Sequence, residues 1–443
     1  MWGLGVVADL PTRALVRGVR LAAVPAAFVG RRAVGLGRRV AGRPAELVEA
    51  EVQARTAEQL FAVLGDLKGG AMKAGQWLSA MEAALPEQLA GPYGQALTRL
   101  QDAAPAMPMR AVDRMLTEEL GRGWRGLFVD FDEAPAAAAS IGQVHRAVWH
   151  DGRTVAVKVQ YPRAGEALAT DLRQLDRLLP LLRVAAPGLD ARGLFAEFRD
   201  RVMAEVDYRQ EADAQTAFAD EFRDDTDFVV PAVVAGTDRV LVSQWVDGTP
   251  VAQVARRGDE AARKTVALLL TRFLLSSPPR VGRLHGDPHP GNFRLLEDGR
   301  LAVVDFGASL PMPHGWPPRL ATLLRAGRDR DPAALFDVAT ATGLVRPGAA
   351  TPEALLDLLN PLLEPLRHEE FTFNRSWLRA QTARFSDPRS SASRTQRRLR
   401  LPARHLLVQR VAAGTTGVLC LLGAPVPVAN EAAAWLPELR SSP

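Results

Sequence analysis

From residue 45 to 64 the apolar positions Leu47, Val48, Val52, Leu60 and Val63 recur at helical spacing among Glu, Gln and Ala, which predicts a helix. Pro86, Pro92, Pro105 and Pro108 punctuate the stretch between that helix and the first strand pattern. Strand patterns come next, at Leu127–Phe131, Ile141–Trp149 and Thr154–Gln160, and the last two flank Asp151-Gly152, a hairpin signal. Asp171–Leu182 and Gly193–Phe222 read as helices, and Phe228–Val234 with Val240–Trp245 as another strand pair closed by the turn Asp247-Gly248-Thr249-Pro250. Beyond that turn the pattern is helical, except for Asn292–Leu296 and Arg300–Val304 around Asp298-Gly299, a second short hairpin. Residues 411–430 carry no charge but are interrupted by Gly414, Gly417, Gly423, Pro425 and Pro427. They suit a buried helix followed by a turn better than a membrane span. Ser386–Arg400, rich in Ser and Arg, reads as an exposed loop or irregular insertion. The order is a helical extension, a five-strand lobe with inserted helices, and a helical lobe.

Composition narrows the class. The 443 residues are 47% hydrophobic and 24% charged, ordinary for a globular protein, which excludes disordered, collagenous and disulfide-scaffold chains. A single cysteine, Cys420, excludes an internal disulfide and a Cys-based zinc site and fits a reducing compartment. Net charge is +5 with pI near 9.8, which points to an anionic partner. No nucleic-acid recognition motif accompanies it. The N-terminus lacks a charged n-region and a cleavage site, so a signal peptide is not expected. Between Asp9 and Glu46 lie eight arginines and no acid, with Arg13, Arg17 and Arg20 on one helical face. That segment suits either an interfacial helix on anionic lipid or a basic helix packed on the domain.

The candidate chemistry is concentrated in a few motifs. Leu284-His285-Gly286-Asp287 runs to Asn292, and the short hairpin then leads to Asp305-Phe306-Gly307. An aspartate, an asparagine five residues on, and an Asp-Phe-Gly match the catalytic and metal loops of kinases. Phosphoryl transfer needs a divalent cation on the phosphates and a carboxylate near the nucleophile. Asn292 and Asp305 offer oxygen ligands to Mg²⁺, and Asp287 stands where a catalytic base belongs. Upstream, Val155-Ala156-Val157-Lys158 ends a strand and presents an ammonium to phosphates. Glu211 is the candidate helix carboxylate to pair with it. Lys158 is one of only four lysines in a chain with 55 Lys and Arg. The run Ala137-Ala138-Ala139-Ser140, before the strand pair, stands where a glycine-rich phosphate loop is expected. Alanine in that place stiffens the loop while leaving its backbone N–H groups for phosphate. Lys73 and Gln76 share a helical face beside Gly69, Gly70 and Gly75, which allow another backbone to come close.

Together these motifs resemble the UbiB family of atypical kinases, also called AarF or ADCK. The resemblance covers about residues 45 to 320. It rests on the Lys-x-Gly-Gln motif at Lys73, Gly75 and Gln76, the Ala-rich loop at Ala136–Ser140, the nucleotide lysine Lys158, and the Glu-x-Asp motif at Glu205 and Asp207. Glu211, Asp287, Asn292 and Asp305 complete it. It implies an α+β, bilobal protein-kinase-like fold whose helical N-terminal extension packs over the active site. The implied parts are a basic segment 1–45, the extension 46–125, an N-lobe 126–247 with inserted helices, and a helical C-lobe 248–443. Lys73 and Gln76 are then expected at the active site, and Ala137–Ser140, Lys158, Glu205, Asp207 and Glu211 around ATP. On a regular helix Glu205 and Asp207 point about 200° apart, so one shared site requires a distorted segment, whereas Asp207 and Glu211 share a face. The implied cofactors are ATP and Mg²⁺. The implied role is in isoprenoid-quinone or lipid metabolism, with the protein cytoplasmic or peripheral at the inner face of the membrane, its oligomeric state left open.

Two other readings stay open at the level of sequence. One is a small-molecule phosphotransferase of the aminoglycoside or choline kinase type, which His-Gly-Asp followed by Val-Asp-Phe-Gly also fits. The other is a non-catalytic nucleotide-sensing scaffold. A regulated protein kinase fits worst: no Ala-Pro-Glu follows Asp305, and Ser309 is the one hydroxyl before Pro318.

Overall fold

The computed structural model describes residues 106–139, 141–176, 206–345, 348–386, 390–398 and 403–440, together with residues 196, 199 and 203. Lys73, Gln76, Ser140, Glu205, the basic segment 1–45 and most of the expected extension therefore lie outside the described residues.

The upper lobe is an antiparallel sheet with helices on both faces. Its strands are β1 (Phe128–Phe131), β2 (Ala137–Ala139), β3 (Gly142–Trp149), β4 (Thr154–Gln160), β6 (Val233–Gly236) and β7 (Val240–Gln244). They run in the order β1-β3-β4-β7-β6, with β2 paired to the start of β3. The alternation in β4 assigns the faces. Val155, Val157 and Val159 are fully buried on one side, with Met107, Val112 and Leu116 in the same core. Val112 and Leu116 belong to α1 (Met109–Leu120), a helix within the expected extension that shares the sheet's core. Lys158 and Leu241 point to the opposite face. There Leu241 and Ile141 pack with Leu168 and Leu172 of α2 (Ala164–Asp176) and with Tyr208 and Ala212 of α3 (Tyr208–Glu221).

Several expected elements differ in extent. The helix expected from Asp171 starts at Ala164, because Leu168 and Leu172, one turn apart, bury against the sheet. The helix expected from Gly193 to Phe222 does not pass through residue 207: Asp207 is extended and caps α3, accepting from the N–H groups of Arg209 and Gln210. The strand expected over Phe228–Val234 divides at Pro231, which lacks a ladder donor. Its first part, β5 (Phe228–Val229), pairs in parallel with Leu301 and Ala302 of the lower sheet, and only β6 pairs with β7.

The lower lobe centres on α5 (Glu260–Val281), which follows β8 (Thr249–Pro250) and α4 (Val251–Arg257). Asp259 caps α5 at its start and Gly282, at φ +68°, ends it. After it come β9 (Arg283–His285), the hairpin β10 (Phe293–Leu295) and β11 (Leu301–Val303), and β12 (Ser309–Pro311), which pairs with β9. A ring of buried aromatics joins the lobes: Phe218 and Phe222 of α3 pack with Phe228, Phe273, Phe293 and Phe306. Helices α6 (Leu320–Arg328), α7 (Pro332–Ala341) and α8 (Pro352–Leu363) form a satellite core. They are followed by β13 (Phe371–Thr372) and α9 (Arg375–Ser386). The stretch expected as an irregular insertion contains a helix, α10 (Ser391–Arg398). Ala392 and Thr395, three residues apart, are buried within it, so small residues provide the packing face that a search for large apolar side chains passes over. The uncharged stretch begins inside α11 (Ala403–Leu422), a helix that ends at Gly423 (φ +62°), and runs into α12 (Val428–Trp435). Among the described residues, no helix is long and apolar enough to cross a membrane.

Candidate functional site

Lys158 stands near the middle of β4, between Val144 of β3 and Leu241 of β7, so two ladders hold its backbone. Its ammonium donates to Glu211 Oε1 and Oε2 at 2.7 and 2.9 Å and to Asp305 Oδ2 at 3.0 Å. The Tyr208 ring lies 5.1 Å from Lys158 Nζ. Burial alone would lower the lysine, but Asp305 and Glu211 outweigh it and hold its pKa well above the usual 10.5. The ammonium is therefore charged at any physiological pH. Glu211 lies in the first turn of α3, and that helix is held by Phe218, whose ring is 4.8 Å from Phe306 of the Asp-Phe-Gly.

The second half of the site is at the ends of the short hairpin. Asn292 Nδ2 donates to Asp287 Oδ2 at 3.0 Å and to the Asp287 carbonyl at 3.1 Å. The Val304 N–H donates to the Asn292 carbonyl, and the Gly307 N–H donates to Asp305 Oδ1 at 3.1 Å. His285, fully buried, contributes 2.7 Å from Nε2 to the Asp305 carbonyl. A carbonyl only accepts, so Nε2 carries the proton. Burial lowers the His285 pKa, which keeps the imidazole neutral. Pro288 is backed by α11: a Cβ on Gly414 would lie 2.9 Å from the proline ring.

The structure thus brings together Lys158, Glu211 and Asp305, and separately Asp287 and Asn292. Ala137–Ala139 form a strand that folds back onto Gly142–Val144, a hairpin mouth at the edge of the sheet. Asp207, expected beside the nucleotide, is occupied as a helix cap, with Gln210 Nε2 donating to its Oδ2. It does not share a helical face with Glu211, because it lies outside the helix. Sequence reasoning missed Gly142, where a Cβ would meet the Val159 carbonyl at 2.3 Å, so only glycine lets β3 start this close to β4. It also assigned no role to His285 and Gly414, because their roles depend on contacts remote in sequence.

The donor set fits a hard divalent cation that also binds phosphate. Asn292 and Asp305 provide oxygen donors, and among the described residues no cluster of three or more His, Cys, Asp or Glu side chains forms a complete metal cage. Mg²⁺ characteristically takes one or two protein oxygens and fills its remaining positions from phosphates and water.

The ABC1 atypical kinase-like domain profile matches residues 99–338, more than half of the chain. The chain belongs to the ABC1 atypical kinase-like family. The mitochondrial atypical kinase COQ8 of Saccharomyces cerevisiae is 32% identical over 309 residues, covering 68% of this chain and 60% of the relative. The chloroplastic protein ACTIVITY OF BC1 COMPLEX KINASE 1 of Arabidopsis thaliana is 35% identical over 270 residues, 58% of this chain and 38% of the relative. The chain thus spans less than two thirds of these curated relatives. A solved structure from Mycobacterium tuberculosis, the complex of Rv3197 with erythromycin, is 41% identical over 90% of this chain and 100% of that one, with a TM-score of 0.69. The ABC1 domain has a bilobal kinase-like fold, which implies use of a nucleotide and a divalent metal.

Proposed function

We propose that this ABC1 protein is an ATP- and Mg²⁺-dependent atypical kinase or ATPase that supports isoprenoid-quinone or lipid metabolism at the inner membrane surface. The observation that supports this most directly is the position of the Lys158 ammonium between Glu211 and Asp305. A kinase requires the lysine–glutamate pair and the Asp-Phe-Gly aspartate in place together. The relatives named as atypical kinases, one of them a COQ protein, support the pathway class.

Each residue then has a role in the chemistry. Lys158 neutralises the non-transferred phosphates, and Glu211 keeps it aimed. Mg²⁺, when bound through Asn292 and Asp305, neutralises charge on the transferring group. Asp287 Oδ2 is held by the Asn292 amide, which orients Oδ1 to accept the proton of an attacking hydroxyl or water. Phe306 and the aromatic ring below it hold the Asp-Phe-Gly in this position.

The test is ATP turnover by purified protein with Mg²⁺, with and without anionic liposomes and a phenol resembling a quinone precursor, against Asp305→Asn. Turnover stimulated by lipid or phenol and lost in Asp305→Asn is the expected result. Tight Mg-nucleotide binding without turnover would return the protein to the scaffold reading. Phosphate transfer to one member of a hydroxyl-acceptor panel would favour the small-molecule phosphotransferase. Erythromycin belongs in that panel, since the mycobacterial relative was solved with it.

A further inference from the structure

Strand β3 carries two polar side chains on a face that otherwise belongs to the apolar core. Gln143 and His145 are 1% and 0% exposed, and Ala147 and Trp149 continue the same face into the core with Val155 and Val157. Buried polar groups are costly unless each is satisfied. Here they are satisfied as one directed chain. The Met107 N–H donates to Gln143 Oε1 at 2.7 Å. Gln143 Nε2 lies 3.3 Å from the Met107 carbonyl and 2.8 Å from His145 Nε2. His145 Nδ1 lies 2.8 Å from the Asp132 carbonyl.

The carbonyl of Asp132 only accepts, so Nδ1 carries the proton and Nε2 accepts from the Gln143 amide. A single tautomer meets every contact. Burial lowers the His145 pKa, which favours that neutral ring. Phe131 stacks on it at 5.0 Å. The two ends of this chain are backbone groups. Met107 lies at the start of the described chain, just before α1, and Asp132 opens the segment 132–139 that leads into the Ala137–Ala139 hairpin. Two further bonds, Asp132 N–H to the Arg146 carbonyl and Ala136 N–H to the Val144 carbonyl, fix that segment to β3.

We infer that Gln143 and His145 are positioning residues that tie the phosphate-loop hairpin to Met107 at the start of α1, so that displacement at Met107 is transmitted to the loop. Apolar side chains would leave the Met107 N–H and the Asp132 carbonyl without these partners, so the polar pair serves both backbone ends at once. The nucleotide side of the inference rests on the ATP reading above. The mechanical coupling does not.

Two variants in the full chain test it, Gln143→Met and His145→Phe. Hydrogen exchange is measured at the amides of Ala106 and Met107 and at the non-proline amides of 132–139, and Mg-dependent binding of a fluorescent ATP analogue is measured alongside KM and kcat. Coupling predicts effects at the remote end. His145→Phe speeds exchange at Met107, which it does not touch, and Gln143→Met speeds exchange at 132–139. Losing one such bond corresponds to about fivefold weaker nucleotide binding and a similar rise in KM, with kcat nearly unchanged. Exchange confined to each variant's own neighbours, or a lower melting temperature with unchanged nucleotide binding and KM, would overturn the inference. If wild-type protein binds no nucleotide, the ATP reading fails, and the exchange data still decide the coupling. His145→Gln, a milder change, should move the same quantities less. If Gln143→Met or His145→Phe does not fold, unchanged exchange and binding in His145→Gln overturns the inference.

Discussion

Two hairpins in this protein turn on the same three residues. Asp151-Gly152-Arg153 joins β3 to β4, and Asp298-Gly299-Arg300 joins β10 to β11. In both, the arginine N–H donates to the aspartate Oδ1 at 3.1 Å and its Nε donates to Oδ2 at 2.8 Å. Both glycines sit at φ +87°. Asp151 and Asp298 are both held below the usual carboxylate range, mainly by their arginine's side-chain and backbone hydrogen bonds. The local chemistry is the same and the outcome differs. The upper strands are eight and seven residues long, and β4 is paired on both sides, so register alone sets Lys158 on the cleft face. The lower strands have three residues each, and the reactive side chains fall just outside them. Asn292 and Asp305 are therefore placed by individual hydrogen bonds rather than by a ladder, among them those from Val304, Gly307, His285 and Lys158 and those of Asn292 to Asp287. A residue placed by register tolerates local strain. A residue placed at a strand end depends on each neighbouring bond.

The largest contrast should come from removing one charged group from each half. Asp305→Asn is expected to lower ATP turnover by at least about 10²-fold while the fold persists, measured by turnover and thermal melting together. Lys158→Met leaves Glu211, 3% exposed, without its cation, and should cost about 3–5 kcal/mol in denaturant unfolding. If the two variants lose stability equally, the distinction between the halves is wrong.

Gly414→Ala tests the brace behind Asp287. Added helix propensity favours the alanine by about 0.5–1 kcal/mol. The clash with Pro288 should instead appear as a severalfold drop in kcat with ATP KM unchanged, read from steady-state kinetics. A stabilised variant with full kcat would show that α11 does not brace the loop.

The turn glycines sharpen the comparison most directly. Gly152→Ala and Gly299→Ala introduce the same φ > 0 strain, about 1 kcal/mol each. Both should lose that much stability, and only Gly299→Ala should also lose turnover. Equal loss of activity would mean that the long ladder protects Lys158 no better than the short one protects its ends.

The smallest expected effect is a pH dependence. The folded pKa of His145 lies below its usual 6.5, so the unfolded chain binds more protons in acid. The stability contribution is complete above that value and is lost as pH falls below 6.5, with a slope of at most about 1.4 kcal/mol per pH unit. The bond to the Asp132 carbonyl, and less strongly the Asp132 carboxylate, oppose the shift without reversing it. Melting from about pH 7.5 to 5.0 should show a steeper fall in wild type than in His145→Phe.

Both Asp-Gly turns were legible in the sequence because a type of turn needs glycine at one position and little else. So was the pairing of Lys158 with Glu211, although 53 residues separate them, since a kinase-like strand lysine calls for a helix carboxylate as its partner. The α10 helix was not legible: its buried face is Ala392 and Thr395, and they count as a face only once another helix covers them. Nor was the division of the strand at Pro231, where the lower sheet captures Phe228. Asp207 is the case where a regular helix was the wrong premise, because an aspartate at a helix start serves its free N–H groups.

By itself the chain determined its turns, its strand alternation, the order of its lobes and the residue types that phosphoryl transfer needs. These depend on interactions between near neighbours, where spacing alone sets which side chains meet. Only the tertiary structure decided that Asp305 shares Lys158 with Glu211, that Gly414 backs Pro288, and that Gln143 and His145 together join Met107 to the loop at Asp132. Beyond the Gln143–His145 bond within β3, those contacts join residues 13 to 147 positions apart. They form only when packing of the apolar faces has brought the elements together, and no local pattern records which element will arrive.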